Sequence, residues 1–262
     1  MTREALADEL SNLIERYLHS ARALEVFVKD SIQGIGRNRA TALGVLEKIR
    51  SGLAGEEPAV TEPGPGTVRI EFSADELKDL NDIVSDYSRY YESHPQMLLE
   101  MSLIYAAALF DALISDVLLA FLRHIPESLR SGRMLTAKEA LRFRDRDELI
   151  EDLARREVLE LMYKSIEQQF DYFRTSLGVD VFADESLTVS MADLAVVRER
   201  RNLVAHNNGL ASATYVAKFD TSASIGDHVV IDAASAESDR AVLRKVAIAL
   251  VSRLRHELAP PS

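Results

Sequence analysis

Arg201, Asn202 and His206 are the side chains of this sequence whose types and spacing could act together. They lie in the stretch Arg198-Glu199-Arg200-Arg201-Asn202-Leu203-Val204-Ala205-His206-Asn207-Asn208-Gly209. Ser190 with Asp193 three residues later is a capping-box start, and Asn207-Asn208-Gly209 is a stop that tolerates the left-handed cap conformation. The stretch is therefore predicted to be the end of one helix. At about 100° of rotation per residue, Leu194, Val197, Arg201 and Val204 share one stripe, with Ala205 at its edge. Arg201 stands where that stripe asks for a hydrophobe. A buried guanidinium without compensation is costly, so it calls for an acidic partner, a phosphate or a second subunit. Asn202 and His206 are i, i+4 neighbours on the adjacent flank. A fixed cation, an amide and an imidazole thus converge near a helix end. Alone, the arginine reads as an ion pair or interface residue and the histidine as a cap favoured by the helix dipole. Together they are more specific than either.

The chain that must position them has 262 residues, 47% hydrophobic and 28% charged, enough for one large domain or a domain with an appendage. It has no cysteine, which excludes disulfides, thiol chemistry and cysteine-based zinc sites. The six histidines are scattered, none pairing with another at i+3 or i+4, so neither a metal nor another cofactor is expected. A net charge of −11 argues against a general nucleic-acid coat or a membrane-surface binder, both of which need excess Lys and Arg. It leaves room for an enzyme that handles RNA through a small local site. A local basic run, Arg130, Arg133, Lys138, Arg142, Arg144 and Arg146, reads as a solvated helix face. The start, Met-Thr-Arg-Glu-Ala-Leu-Ala-Asp-Glu, has no apolar signal core, so a cytoplasmic location is the expectation.

The expected fold class is all-α. Leu6, Leu10, Leu13, Ile14, Tyr17 and Leu18 give residues 3–32 a helical period, Gly34-Ile35-Gly36 interrupts it, and a second helix is predicted over about 39–53. Residues 1–53 therefore read as an N-terminal helical hairpin. The Pro-, Gly- and Glu-rich run 54–66 reads as a linker, and 67–258 as the main helical domain. Val68, Ile70 and Phe72 alternate like a short strand, and Ser73 with Glu76 opens a helix to about Tyr91, ended by Ser93-His94-Pro95. Met97 to Leu122 is apolar enough for a membrane span, but Glu100, Asp111 and Asp116 lie inside it, so a helix buried in a bundle fits better. Asp111 either points to a solvent seam or faces Arg201 or its neighbours. Short and long helices are predicted over about 136–143 and 149–173. After Gly209, residues 213–219 and 228–232 have strand composition, a small hairpin or extended arms, before a last helix to about Leu258.

In this context the chain resembles the HEPN domains (higher eukaryotes and prokaryotes nucleotide-binding), all-helical bundles. Many of them carry an Arg, a polar residue, a few variable positions and a His at the end of the penultimate long helix. Arg201-Asn202-Leu203-Val204-Ala205-His206 matches, with four residues between Arg and His. Asn207-Asn208-Gly209, the short extended piece with Gly226-Asp227, the closing helix and the apolar helix with an acid after Phe110 are similar to one prokaryotic branch. The resemblance covers roughly residues 97–258. It implies a metal-independent endoribonuclease, often in toxin–antitoxin pairs or phage defence, working as a homodimer with the two motifs facing across the interface. It further implies that the substrate 2′-hydroxyl attacks the adjacent phosphate. Arg201 would stabilise phosphoryl charge and His206 act as general base or acid; Asn202 would orient His206 or the phosphate, and Asp111 would hold Arg201. Arg198 and Asn207 flank the motif as supporting residues. An antitoxin or regulatory protein is a possible partner. Some members with the motif are binding modules without nuclease activity, and that is the competing expectation.

Overall fold

The structure, a computed structural model, describes residues 3–53, 73–129, 136–220 and 222–258. It is all-α, with no β-strand among the described residues. The helices are α1 (Arg3–Leu53), α2 (Ala74–His124), α3 (Ala137–Ala140), α4 (Arg146–Met162), α5 (Ile166–Ser176), α6 (Met191–Asn207), α7 (Ala213–Lys218) and α8 (Ala233–Leu258), with a 3₁₀ turn at Pro126–Ser128.

The chain forms two compact units, 26–99 and 1–25 together with 100–262. In the larger one, α1 and α2 are antiparallel: Glu9 meets His124 at 3.0 Å and Arg16 meets Asp116 at 3.9 Å. Leu6 and Leu10 of α1, Leu103, Phe110, Ile114 and Leu118 of α2, Phe173 of α5, Leu194 of α6 and Leu243 and Leu250 of α8 make its core. Each such side chain contributes about 1.5–3 kcal/mol on full burial. In the smaller unit Arg39 pairs with Glu92 at 2.7 Å.

Four expectations about the elements are corrected. Residues 1–53 are not a hairpin, because α1 runs unbroken through Gly34 and Gly36; a helical glycine costs only about 1 kcal/mol against alanine, and the flanking helical pattern outweighs it. Residues 1–25 group with 100–262, and 26–99 form the other unit. Pro95 does not end its helix: α2 continues past it to His124, with Leu99 buried on the next turn. Neither of the strands expected after the motif helix forms among the described residues. Residues 213–218 are α7, capped by Ser212, whose Oγ accepts from the Tyr215 N–H at 3.0 Å. Tyr215 is buried with Leu203 and Ala211, and Val216 and Phe219 pack against that cluster, a helical spacing that overrides their strand propensity. Among the described residues, the β character is an isolated antiparallel bridge, Leu210 with His228. In addition, the long helix over 149–173 is two, because Ser165 and Gln168 form a capping box that starts α5 anew. The linker 54–66 and the strand at 68–72 lie outside the described residues.

The α6 start is as read. Ser190 N–H and Oγ donate to Asp193 Oδ2 at 2.7 and 2.8 Å, while the Asp193 N–H donates to Ser190 Oγ at 3.2 Å. The bonds from the Ser190 N–H and then its hydroxyl hold the Asp193 carboxyl below the usual carboxylate range. That stability is present above the unfolded-state pKa of about 4 and is lost as pH falls through the lower folded value. Ser190→Ala is expected to cost about 1 kcal/mol at pH 7, with the difference from wild type shrinking below about pH 3. Urea unfolding midpoints at pH 7, 4 and 2 check this; a deficit that is as large at pH 2 as at pH 7 would contradict the assignment.

Candidate active site at the end of the motif helix

Three consecutive residues of α6 tie it to three other elements. Arg198 donates to Asp111 of α2 in a close ion pair, with side chains only 17% and 21% exposed. Glu199 accepts from Ser212 Oγ, at the cap of α7, at 3.3 Å. Arg200 donates to Asp239 of α8 at 2.9 Å. Asp239 is 3% exposed, and its burial raises the carboxyl pKa, offset in part by Arg200. Burial also works against the Arg200 charge, but Asp239 and the Tyr215 hydroxyl outweigh it and raise its pKa overall. Leu194, Val197 and Leu203 bury the apolar face between these ties.

Arg201 follows directly. Its side chain is 25% exposed, its Nη2 is 4.0 Å from Asp111 Oδ2, and its Nη1 donates to Asn202 Oδ1 at 3.0 Å. Its Nε is buried without a hydrogen-bond partner among the described residues. Asp111 therefore faces α6, but its close partner is Arg198, and Arg201 stands one turn further at the edge of ion-pair range. Two guanidinium groups share one carboxylate, which leaves a local excess of positive charge in an acidic chain. Asn202 accepts from Arg201 and so orients the arginine.

His206 is on the last turn of α6, exposed, with no hydrogen bond or ion pair among the described residues. Asn207 is a turn residue: its Nδ2 donates to the Leu210 carbonyl at 2.6 Å. Asn208, at φ 50°, and Gly209, at φ 74°, end the helix in the left-handed conformation, and the Gly209 N–H donates to the Leu203 carbonyl at 2.9 Å. The structure thus brings Asp111, Arg198, Arg201 and Asn202 together and sets His206 on the last helical turn beyond them.

The Arg200–Asp239 pair was not anticipated from the sequence. Its signal was available: Asp239 falls on the same face of α8 as Val242, Leu243 and Val246, all buried.

Beside Asp111, α2 turns an apolar stripe outward. Met101 and Tyr105 are 58% and 54% exposed, and Ala108 and Ala112 continue the stripe at helical spacing. The segment Tyr91–His124 is long and apolar enough to cross a membrane, and half of its most apolar 18-residue window is buried inside the protein. A groove of about 1100 Å³ lies between α1 and α8 around Ile14, Leu18, Val251 and Arg255, and no residue of the motif lines it. Among the described residues no three His, Asp or Glu side chains are grouped to hold a metal ion. No family model matches the chain, nor does any curated protein or solved structure.

Proposed function

We propose that this chain is a dimeric, metal-independent endoribonuclease of the HEPN kind, cytoplasmic, serving in phage defence or as the toxin of a toxin–antitoxin pair. The observation that carries the reading is Arg201. Its guanidinium is half-buried at a helix end, its Nε lacks a partner among the described residues, and the carboxylate beside it is already engaged by Arg198. Such a group has donors and charge left for an anion, and a phosphodiester is the anion whose geometry a guanidinium matches. His206 supplies an accessible imidazole on the same helix end. In the reaction the 2′-oxygen attacks the adjacent phosphorus and the 5′-oxygen leaves; Arg201 offsets charge on the non-bridging oxygens and His206 moves a proton.

The exposed stripe of Met101, Tyr105, Ala108 and Ala112 supports pairing of two copies, because contiguous outward apolar surface on a folded chain marks an interaction face. Asp111 sits at its edge, so a second copy there would bring two motifs near each other. The second reading, a HEPN-type module that binds a nucleotide or protein without cleaving, draws on the Arg201–Asn202 bond, which gives Arg201 a structural partner.

The test is incubation of the purified chain with total RNA in EDTA, with the molecular mass measured by sedimentation. Cleavage by a dimer is expected, and Tyr105→Glu is expected to yield a folded monomer with cleavage lost. A folded dimer that leaves RNA intact would transfer the weight to the binding module. Full cleavage by a monomer would refute the dimeric site.

A further inference from the structure

His228 is the one other histidine that the fold brings to the end of α6. Residues 227–229 run back along 209–211: the Ala211 N–H donates to the Asp227 carbonyl at 2.8 Å, and the Val229 N–H to the Gly209 carbonyl at 2.8 Å. Val229 packs on the Leu203, Ala211 and Tyr215 cluster, which anchors the segment. Its neighbour His228 then lays its ring directly over Gly209. A Cβ at that glycine would come within 3.0 Å of Nε2 and 3.1 Å of Cε1. Gly209 thus has two reasons to lack a side chain, its φ of +74° and the imidazole that occupies the space. Gly209 lies three residues beyond His206. Both rings are exposed, and neither makes a hydrogen bond or ion pair among the described residues. The other histidines that make contacts do so elsewhere: His124 is buried against Glu9, His94 meets Tyr91 edge to face, and His256 lines the groove beside α8.

We infer that His228 is the second proton-transfer group of the site, working beside His206. This rests on the ribonuclease reading and deepens it. Cleavage forms the bond from O2′ to phosphorus and breaks the bond from phosphorus to O5′. One proton must leave the 2′-hydroxyl and one must reach the 5′-oxygen. A neutral imidazole takes the first and an imidazolium gives the second, which leaves a 2′,3′-cyclic phosphate and a 5′-hydroxyl. His206 and His228 fill the two roles, and Arg201 holds the phosphate between them.

The experiment uses the full chain, with the ring C–H signals of His206 and His228 assigned through His206→Gln and His228→Gln. The probe is a single-stranded RNA oligonucleotide methylated at every 2′-oxygen, which binds but cannot be cleaved. Both ring signals are expected to shift on binding. His228→Gln is expected to lower metal-free cleavage at least ~100-fold with an unchanged unfolding midpoint. A shift confined to His206, with His228→Gln cleaving within about twofold of wild type, overturns the assignment and leaves the ribonuclease reading standing. A shift at both rings with cleavage unchanged makes His228 a binding residue and overturns its proton-transfer role. If neither ring responds and RNA stays intact, the ribonuclease reading fails and the assignment fails with it.

Discussion

His206→Ala is expected to lower metal-free RNA cleavage by about two to four orders of magnitude, the usual contribution of a positioned acid or base. The same variant should unfold at nearly the wild-type urea midpoint. The ring is exposed and has no hydrogen bond or ion pair among the described residues, and such surface changes stay within about 0.5 kcal/mol. The separation between the two readouts is what makes the variant informative. Arg201→Ala does not separate them, because it also removes the bond to Asn202 and a cation near Asp111. A His206→Ala protein that cleaves within tenfold of wild type would remove His206 from the reaction whatever its neighbours do.

The largest stability effect is expected at Asp111. Asp111→Ala leaves the Arg198 and Arg201 guanidinium groups facing each other in a half-buried seam without a counter-charge. Orphaning one partner of a buried pair costs about 3–5 kcal/mol, and with these side chains roughly a fifth exposed the expected loss is about 2–4 kcal/mol. Most of it should return in Asp111→Leu combined with Arg198→Leu, because replacing both partners by apolar groups removes the orphaned charge. Urea denaturation of the two variants and wild type gives the comparison. A loss below about 0.5 kcal/mol in Asp111→Ala would show that the pair is screened like a surface bridge.

The fold and the site were legible to different depths. Both ends of α6 are local chemistry, Ser190 with Asp193 and Asn208-Gly209, and local chemistry is readable in a sequence. That Asp111 either meets a solvent seam or faces Arg201 or its neighbours followed from its place in an apolar helix. Which arginine it takes did not, because Arg198 and Arg201 are three residues apart and lie on adjoining parts of one face. Asp239 was missed because it follows Glu237 and Ser238 at the polar start of α8, which reads as solvent-facing until the period of Val242, Leu243 and Val246 is carried back to it. Gly34 and Gly36 misled in the other direction. Their helix-breaking effect is about 1 kcal/mol each, small beside the packing of a 51-residue helix. Residues 213–219 have the composition of a strand, and only the burial of Tyr215 beside Leu203 selects the helical spacing.

The ties at Arg198, Glu199 and Arg200 also limit how this helix can vary in length. One residue inserted between Leu194 and Arg198 would turn all three by about 100°, aiming each at the wrong neighbour and carrying Arg201 off its seam. The frame before Arg201 is therefore closed to insertions and deletions. After the buried Leu203 the last turn is exposed on most sides and ends in a left-handed cap, so an added or lost residue there moves His206 without disturbing the braces. Drift in the spacing between the arginine and the histidine, across descendants of this chain, should accumulate between Val204 and Asn207 and nowhere upstream.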